Sequence, residues 1–201
     1  MKQIINILFF LTGLFLISCG NNNEIEEKKT NIHEHSGSPH QIELDGSLKD
    51  KNIEDYFKDI YRREKIVKAD DSKMISITDS LFTSNKLNDL FYFIVFTKSM
   101  NGSDGFYSEA VGHSAFKFVT TKTDFFADYF NIAPKLNDGD MDNWANYIYG
   151  EIQIARENQE AGAIDELEQK VLDNIKYNRK EYKIIIEKLI EKIRKAHNIS
   201  S

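Results

Sequence analysis

Cysteine is almost absent from this chain, since Cys19 is the only one among 201 residues. A single cysteine cannot form a disulfide within its own chain, so disulfide-stabilised folds are excluded. Positive charge is also in deficit, because 26 lysine and arginine side chains face 32 aspartates and glutamates. Nucleic-acid phosphates require patches of Lys and Arg, and the formal net charge of −6 therefore argues against a nucleic-acid partner.

A long apolar run is the third absence. The main apolar stretch covers residues 4–17 and is interrupted by Asn6, Thr12 and Gly13. As a helix it would extend about 21 Å, which is shorter than the ~30 Å hydrocarbon core of a bilayer. With Lys2 as a positive start, a stretch of this length is typical of the apolar region of a signal peptide and not of a membrane-spanning helix.

The end of this stretch has a more specific pattern. Leu16 and Ser18 precede Cys19, and the uncharged residue Gly20 follows it. The order of positive start, apolar region, leucine, small residue and cysteine resembles the lipobox of bacterial lipoproteins. The resemblance covers residues 1–20 and implies that Cys19 becomes the first residue after cleavage and carries acyl chains such as palmitate. An ordinary signal peptide with an incidental cysteine is the alternative.

An acylated cysteine implies a location for the protein. One acyl chain holds a protein weakly on a bilayer, whereas the two or three chains of this class hold it durably. We therefore expect a lipid-anchored protein of the bacterial cell envelope that has a covalent lipid on Cys19 and no cofactor. Gly20 stands where an aspartate would resemble the enterobacterial signal for inner-membrane retention, so the outer membrane is favoured in a cell that has one. Removal of the signal peptide, residues 1–18, leaves a net charge of −7.

The mature chain is predicted to consist of a tether and a domain. Residues 19–46 are mostly polar and form no periodic apolar face, which predicts a lipidated cysteine followed by a flexible tether. His33, His35 and His40 lie in this tether and could bind zinc, copper or nickel ions. The alternative is a soluble linker that contains histidine. Residues 47–201 are predicted to form the folded domain.

The apolar residues of this domain recur at helical spacing. Two stretches, residues 74–82 and 90–96, also fit strands, and for the second we favour a helix because its periodicity begins earlier. Helix starts are expected at Ser47, Thr123 and Asp140. These patterns predict an all-α fold, either an irregular bundle or an array of antiparallel helix pairs with a long C-terminal helix.

The clearest amphipathic pattern covers residues 106–119, where small residues such as Gly112 would let a neighbouring helix approach closely. The aromatic residues, including Trp144, fall on apolar faces and are expected in the core rather than in a ligand stack. Gly162 is expected to separate a long final segment, residues 163–197. Its apolar residues alternate four and three apart, as in a coiled-coil seam: Tyr182, Ile186, Leu189, Ile193 and Ala196. The seam is short, so we expect it to pack on its own domain rather than on a partner.

Alternating acids at Asp138, Asp140 and Asp142 resemble the opening of an EF-hand loop, in which oxygens at every second residue bind calcium. The pattern then departs, because Asn143 occupies the position of the turn glycine and Tyr149 that of the bidentate glutamate. The alternative, which we favour, is that the acids remain solvated at the positive N-terminal end of the next helix. Asp140→Ala is then expected to cost no more than a helix cap, about 0.5–2 kcal/mol.

Glu109 and His113 stand four residues apart on one predicted helix, so the carboxylate could orient the imidazole for acid–base chemistry. No positioned nucleophile or second metal ligand accompanies them in the sequence. A surface ion pair is therefore the alternative.

Two classes of function remain open. The first is a non-catalytic binding module, held to the membrane by its lipid, that engages another envelope protein or a secreted protein. An immunity protein or a subunit of an envelope complex would belong to this class. The second is a metal-binding or hydrolytic envelope enzyme that uses Glu109 and His113 or the acidic residues 138–142. We favour the first class, because a helical domain on a long tether is predicted without a catalytic set.

Overall fold

The computed structural model describes residues 39–63, 71–82, 88–101, 105–176 and 179–200. Every regular element in these ranges is an α-helix, and the fold is all-α as predicted. The helices are α1 (Pro39–Lys49), α2 (Asp55–Arg62), α3 (Asp71–Ser80), α4 (Asp89–Ser99), α5 (Gly105–Thr121), α6 (Thr123–Ile132), α7 (Asp138–Ala155), α8 (Glu160–Asp173) and α9 (Lys180–Ser200). All of them belong to one compact unit, Ser36–Ser201.

Helix α4 lies at the centre of the fold and is apolar on almost every side. It packs against α1, α2, α3 and α7. Its buried apolar residues are Leu90, Phe91, Phe93, Ile94, Val95 and Phe96. A helix that is hydrophobic all round must be covered on all sides, and this central position explains why residues 90–96 resemble a buried strand in the sequence. The preference for a helix is confirmed there, and most of the ambiguous stretch 74–82 lies in α3.

Trp144 of α7 joins α4, α5 and α6 in one aromatic core. Its ring stacks on Phe93 with the centroids 5.2 Å apart, and its Nε1–H donates to Thr97 Oγ1 at 2.9 Å. Further rings contact it from three helices: Phe96, Phe118 and Phe126. Aromatic pairs in such offset and edge-on arrangements contribute beyond their buried area. The expectation that Trp144 belongs to the core is confirmed.

The three C-terminal helices form an up-down-up unit. Near the start of α7, Asp142 accepts a hydrogen bond from Lys192 of α9 at 2.6 Å. Further along both helices, the rings of Tyr149 and His197 lie 5.7 Å apart. Since residue numbers rise in the same direction on both helices, α7 and α9 are parallel and pack directly against each other. Helix α8, which connects them in the chain, runs in the opposite direction.

Helix α9 places its apolar seam inside the domain. It packs against α6, α7 and α8. The buried residues of the helix are Tyr182, Ile186, Leu189, Ile190 and Ile193. The prediction that the seam packs on its own domain is confirmed, as is the long C-terminal helix.

The first helix begins earlier than the sequence pattern indicated. Helix α1 starts at Pro39, so residues 39–46, assigned to the tether, are helical, and the expected start at Ser47 was wrong. Ser47 instead lies inside the domain and donates a hydrogen bond to the Asn88 side chain at 2.7 Å. Leu44 is fully buried in the core. A single buried apolar residue in a polar stretch produces no periodic apolar face, which is why the pattern missed α1.

Three helix boundaries also differ from expectation. Thr123 is the first residue of α6 and not its cap, because its Oγ1–H donates to the Val119 carbonyl of the preceding helix at 2.6 Å. Helix α7 begins at Asp138, two residues before the expected Asp140. Gly162 lies inside α8, so the final segment is two helices with their break after Asp173.

None of the helices in the described ranges is both long and apolar enough to cross a membrane.

Candidate functional site

The acidic residues at the start of α7 are held by backbone and side-chain contacts within the domain. Asn137 is the N-cap and its side chain accepts from the Asp140 amide at 3.1 Å. In return, Asp140 Oδ2 accepts from the Asn137 amide at 2.9 Å. This reciprocal capping box satisfies two amide groups that the first turn of a helix leaves without partners.

Asp140 forms a buried ion pair with Lys98 of α4. The two side chains are 2 % and 3 % exposed, and Asp140 Oδ2 lies 2.5 Å from Lys98 Nζ. The Arg63 guanidinium lies 3.9 Å from the same oxygen. Burial lowers the pKa of the Lys98 ammonium, and the hydrogen bond to Asp140 opposes that effect. The expectation that Asp140 remains solvated is therefore wrong, because the helix start is covered by α4.

Asp138 and Asp142 face α9 instead. Asp138 Oδ1 lies 2.6 Å from Lys188 Nζ and its Oδ2 lies 3.0 Å from Lys192 Nζ, while Asp142 shares Lys192. Hydrogen bonds from the two lysines lower the pKa of Asp138 to about 2. The three carboxylates thus contact cations from two different helices, and no group of three or more metal-ligating side chains occurs in the described part of the chain.

Of the tether histidines, one falls in the structure. His33 and His35 lie outside the described residues, as does the lipidation site Cys19. His40 lies in α1, with its Nδ1 3.9 Å from Glu43 Oε2 of the same helix. The metal-binding interpretation of the three histidines therefore stays a prediction.

The proposed pair of Glu109 and His113 is replaced by a different pair. Both residues are exposed on α5, but His113 Nδ1 lies 3.3 Å from Glu151 Oε1 of α7. The two partners are separated by 38 positions in the sequence. Sequence spacing paired His113 with the wrong carboxylate, because a partner on another helix leaves no local signal.

His113 and Glu151 border a groove between α5, α7 and α8 that the sequence did not indicate. Its volume is about 400 Å³. The floor is apolar and is formed by Phe116, Ile152, Ala155, Ala163 and Leu167. The rim is charged and is formed by His113, Glu151, Arg156, Glu166 and Lys170. We call this feature the α5–α7–α8 groove.

The rim of the groove contains one ion pair, one contact between a histidine and a carboxylate, and one further cation. His113 pairs with Glu151, and Arg156 Nη2 lies 3.5 Å from Glu166 Oε2. Lys170 has no ion pair among the described residues. No serine, threonine or cysteine lines the groove, so the described lining offers binding contacts but no hydroxyl or thiol nucleophile.

The fold and its site thus define a helical domain with a concave, charged-rimmed surface. No family model, curated protein or solved structure matches this chain.

Proposed function

We propose that this protein is a lipid-anchored component of the bacterial cell envelope whose helical domain binds another envelope protein or a secreted protein. The lipobox-like residues ending at Cys19 supply the anchor. The domain is a binding module rather than an enzyme, in the manner of an immunity protein or a subunit of an envelope complex.

The observation that carries the proposal is a pair of strongly exposed apolar side chains. Ile154 of α7 is 78 % exposed and Ile199 of α9 is 76 % exposed, the highest values among the large apolar side chains described. Single exposed apolar residues are common on protein surfaces, so the position of these two relative to each other decides what they indicate.

Both isoleucines lie at the same end of the domain. Helices α7 and α9 are parallel, and the contact between Tyr149 and His197 sets their register. Ile154 follows Tyr149 by little more than one turn, and Ile199 follows His197 by two positions. The two side chains therefore lie at the end of the domain where α7 and α9 finish, and we assign the partner to this end.

The charged residues support binding over catalysis. The candidate metal-binding carboxylates pair with lysines of α4 and α9 and so connect helices: Asp138, Asp140 and Asp142. His113 pairs with Glu151 across α5 and α7. In these positions the charged groups hold helices against each other, as interhelical ion pairs do.

The test is capture of the partner from the native envelope. The anchored protein is cross-linked in its own cells and purified, and co-purifying proteins are quantified for wild type, Ile154→Glu/Ile199→Glu and Ile184→Glu. Ile184 is the control, since it is 51 % exposed and lies in the first part of α9, away from the assigned end.

We expect wild type and Ile184→Glu to recover the same partner protein. The double variant should recover at least tenfold less of that partner. Equal recovery of the partner by wild type and both variants would contradict its assignment to the end of the domain that carries Ile154 and Ile199. Absence of any specific protein with wild type would contradict the binding function itself.

A further inference from the structure

We infer that the α5–α7–α8 groove is a binding site for a small amphiphile that carries one carboxylate on an aliphatic chain. The inference goes beyond the proposed function and does not depend on it, since it rests on other side chains. It follows from the size of the groove, its floor and the arrangement of charge on its rim.

The size and the floor select an apolar body. A volume of about 400 Å³ lies in the range of small-molecule sites, about 300–1,000 Å³. Apolar side chains from three helices converge on it, with Phe116 from α5, Ile152 from α7 and Leu167 from α8 among them. Water over such a floor is displaced favourably by an aliphatic chain.

The rim selects the charge of the head group. Glu166 pairs with Arg156, and Glu151 lies 3.3 Å from the His113 imidazole. Lys170 is the rim cation that has no ion pair among the described residues. A carboxylate would form an ion pair with Lys170, whereas a cationic head group would place a second positive charge beside it.

The position of Lys170 orients the ligand. It lies in the last turn of α8, one turn beyond Leu167 of the floor. From Ala163 to Lys170 the helix extends about 10 Å. The carboxylate therefore binds at the Lys170 end, and the chain extends along the floor towards Ala163 and Ala155.

Decanoate is the probe for this site, used below its micelle concentration on the full chain that follows Cys19, prepared without lipid. Binding is measured by calorimetry and by the NMR signals of His113 and of the Leu167 methyl groups. Three variants are compared with wild type: Lys170→Glu, Ala155→Trp, which fills the groove, and Lys195→Glu. The control Lys195 is an exposed lysine of α9 that does not line the groove. Lys170 and Ala155 are also exposed, and circular dichroism verifies that each variant is folded.

We expect one decanoate per chain, at least tenfold weaker binding in Lys170→Glu, loss of binding in Ala155→Trp, and wild-type affinity in Lys195→Glu. Decyltrimethylammonium, which has the same chain with a cationic head, should bind at least tenfold more weakly than decanoate. Unsaturable binding, equal affinity for the two head groups, or wild-type affinity in either groove variant would overturn the inference.

Discussion

At the scale of single residues, Asp140 shows how a carboxylate can serve two structural roles at once. One oxygen accepts from the Asn137 amide at the start of α7 and also pairs with the buried Lys98 ammonium. The alternating acids in the sequence suggested a calcium loop or a solvated helix start. Both interpretations consider only residues that are neighbours in the sequence. The lysine that decides the role of Asp140 is 42 positions away, so local spacing could not identify it.

Asp140→Ala is predicted to destabilise the domain by about 3–5 kcal/mol, because it strands a buried ammonium as well as removing a capping interaction. A helix cap alone would account for about 0.5–2 kcal/mol. Urea denaturation followed by circular dichroism measures the difference. The matched control is Asp142→Ala, whose half-exposed ion pair with Lys192 should contribute about 0–1 kcal/mol.

A second substitution separates the two contributions of Asp140. Lys98→Met in the Asp140→Ala background removes the stranded charge and should recover part of the lost stability, since apolar replacement of both members of a buried pair is often neutral. A double variant that is less stable than Asp140→Ala would contradict this account of the pair.

Asp138 predicts how the stability of the domain depends on pH. Its folded-state pKa is about 2 against an ordinary 3.8, held down by hydrogen bonds from Lys188 and Lys192. A depressed pKa stabilises the fold above the unfolded value, and this contribution is lost as the pH falls through the folded value. The stability difference between wild type and Asp138→Asn should therefore be constant near neutral pH and shrink between pH 3.8 and about 2. A difference that persists undiminished at the acidic end would contradict it.

At the scale of elements, helical periodicity was the most informative signal in the sequence. Helices α4, α5, α7 and α9 were predicted because each buries several apolar residues at regular spacing. Helix α1 was missed because it buries one apolar residue fully, Leu44, and a single residue gives no helical periodicity. The groove was missed as well, since its residues come from three helices whose relative positions are set by packing.

Gly162 provides a test at this scale, because the sequence placed a break there and the structure places it inside α8. A Cβ at Gly162 would have no neighbour within 4 Å. Gly162→Ala should therefore stabilise the domain by about 0.5–1 kcal/mol, through the lower backbone entropy of alanine in the unfolded chain. Thermal unfolding should show a rise of about 2–4 °C per kcal/mol.

Gly112 is the control for that substitution, since it lies where α5 approaches α7 closely. A Cβ there would meet the Tyr147 carbonyl oxygen at 3.4 Å and Glu151 Oε2 at 3.6 Å. Gly112→Ala should gain less than Gly162→Ala. A loss of stability in Gly162→Ala would indicate a helix break at that position after all.

At the scale of the whole molecule, the proposed lipid anchor on Cys19 would determine where the helical domain acts. If Cys19 is acylated as proposed, Cys19→Ser should abolish acylation and release the protein from membranes, because serine has no thiol to carry the acyl chains. Fractionation after a high-salt wash, with the protein detected by antibody, measures this. Retention of the serine variant in the washed membranes would contradict the lipoprotein assignment.

Helix α9 has a consequence for how the domain reaches its folded state. It covers faces of α6, α7 and α8 at once, so these three helices have no complete core until α9 arrives. The part of the chain that precedes α9 is therefore not expected to fold stably without α9. If the protein is exported as proposed, with its N-terminus first, α9 is translocated after the three helices that it covers. The chain would then remain unfolded while it crosses the membrane, and the domain would fold once α9 has been translocated.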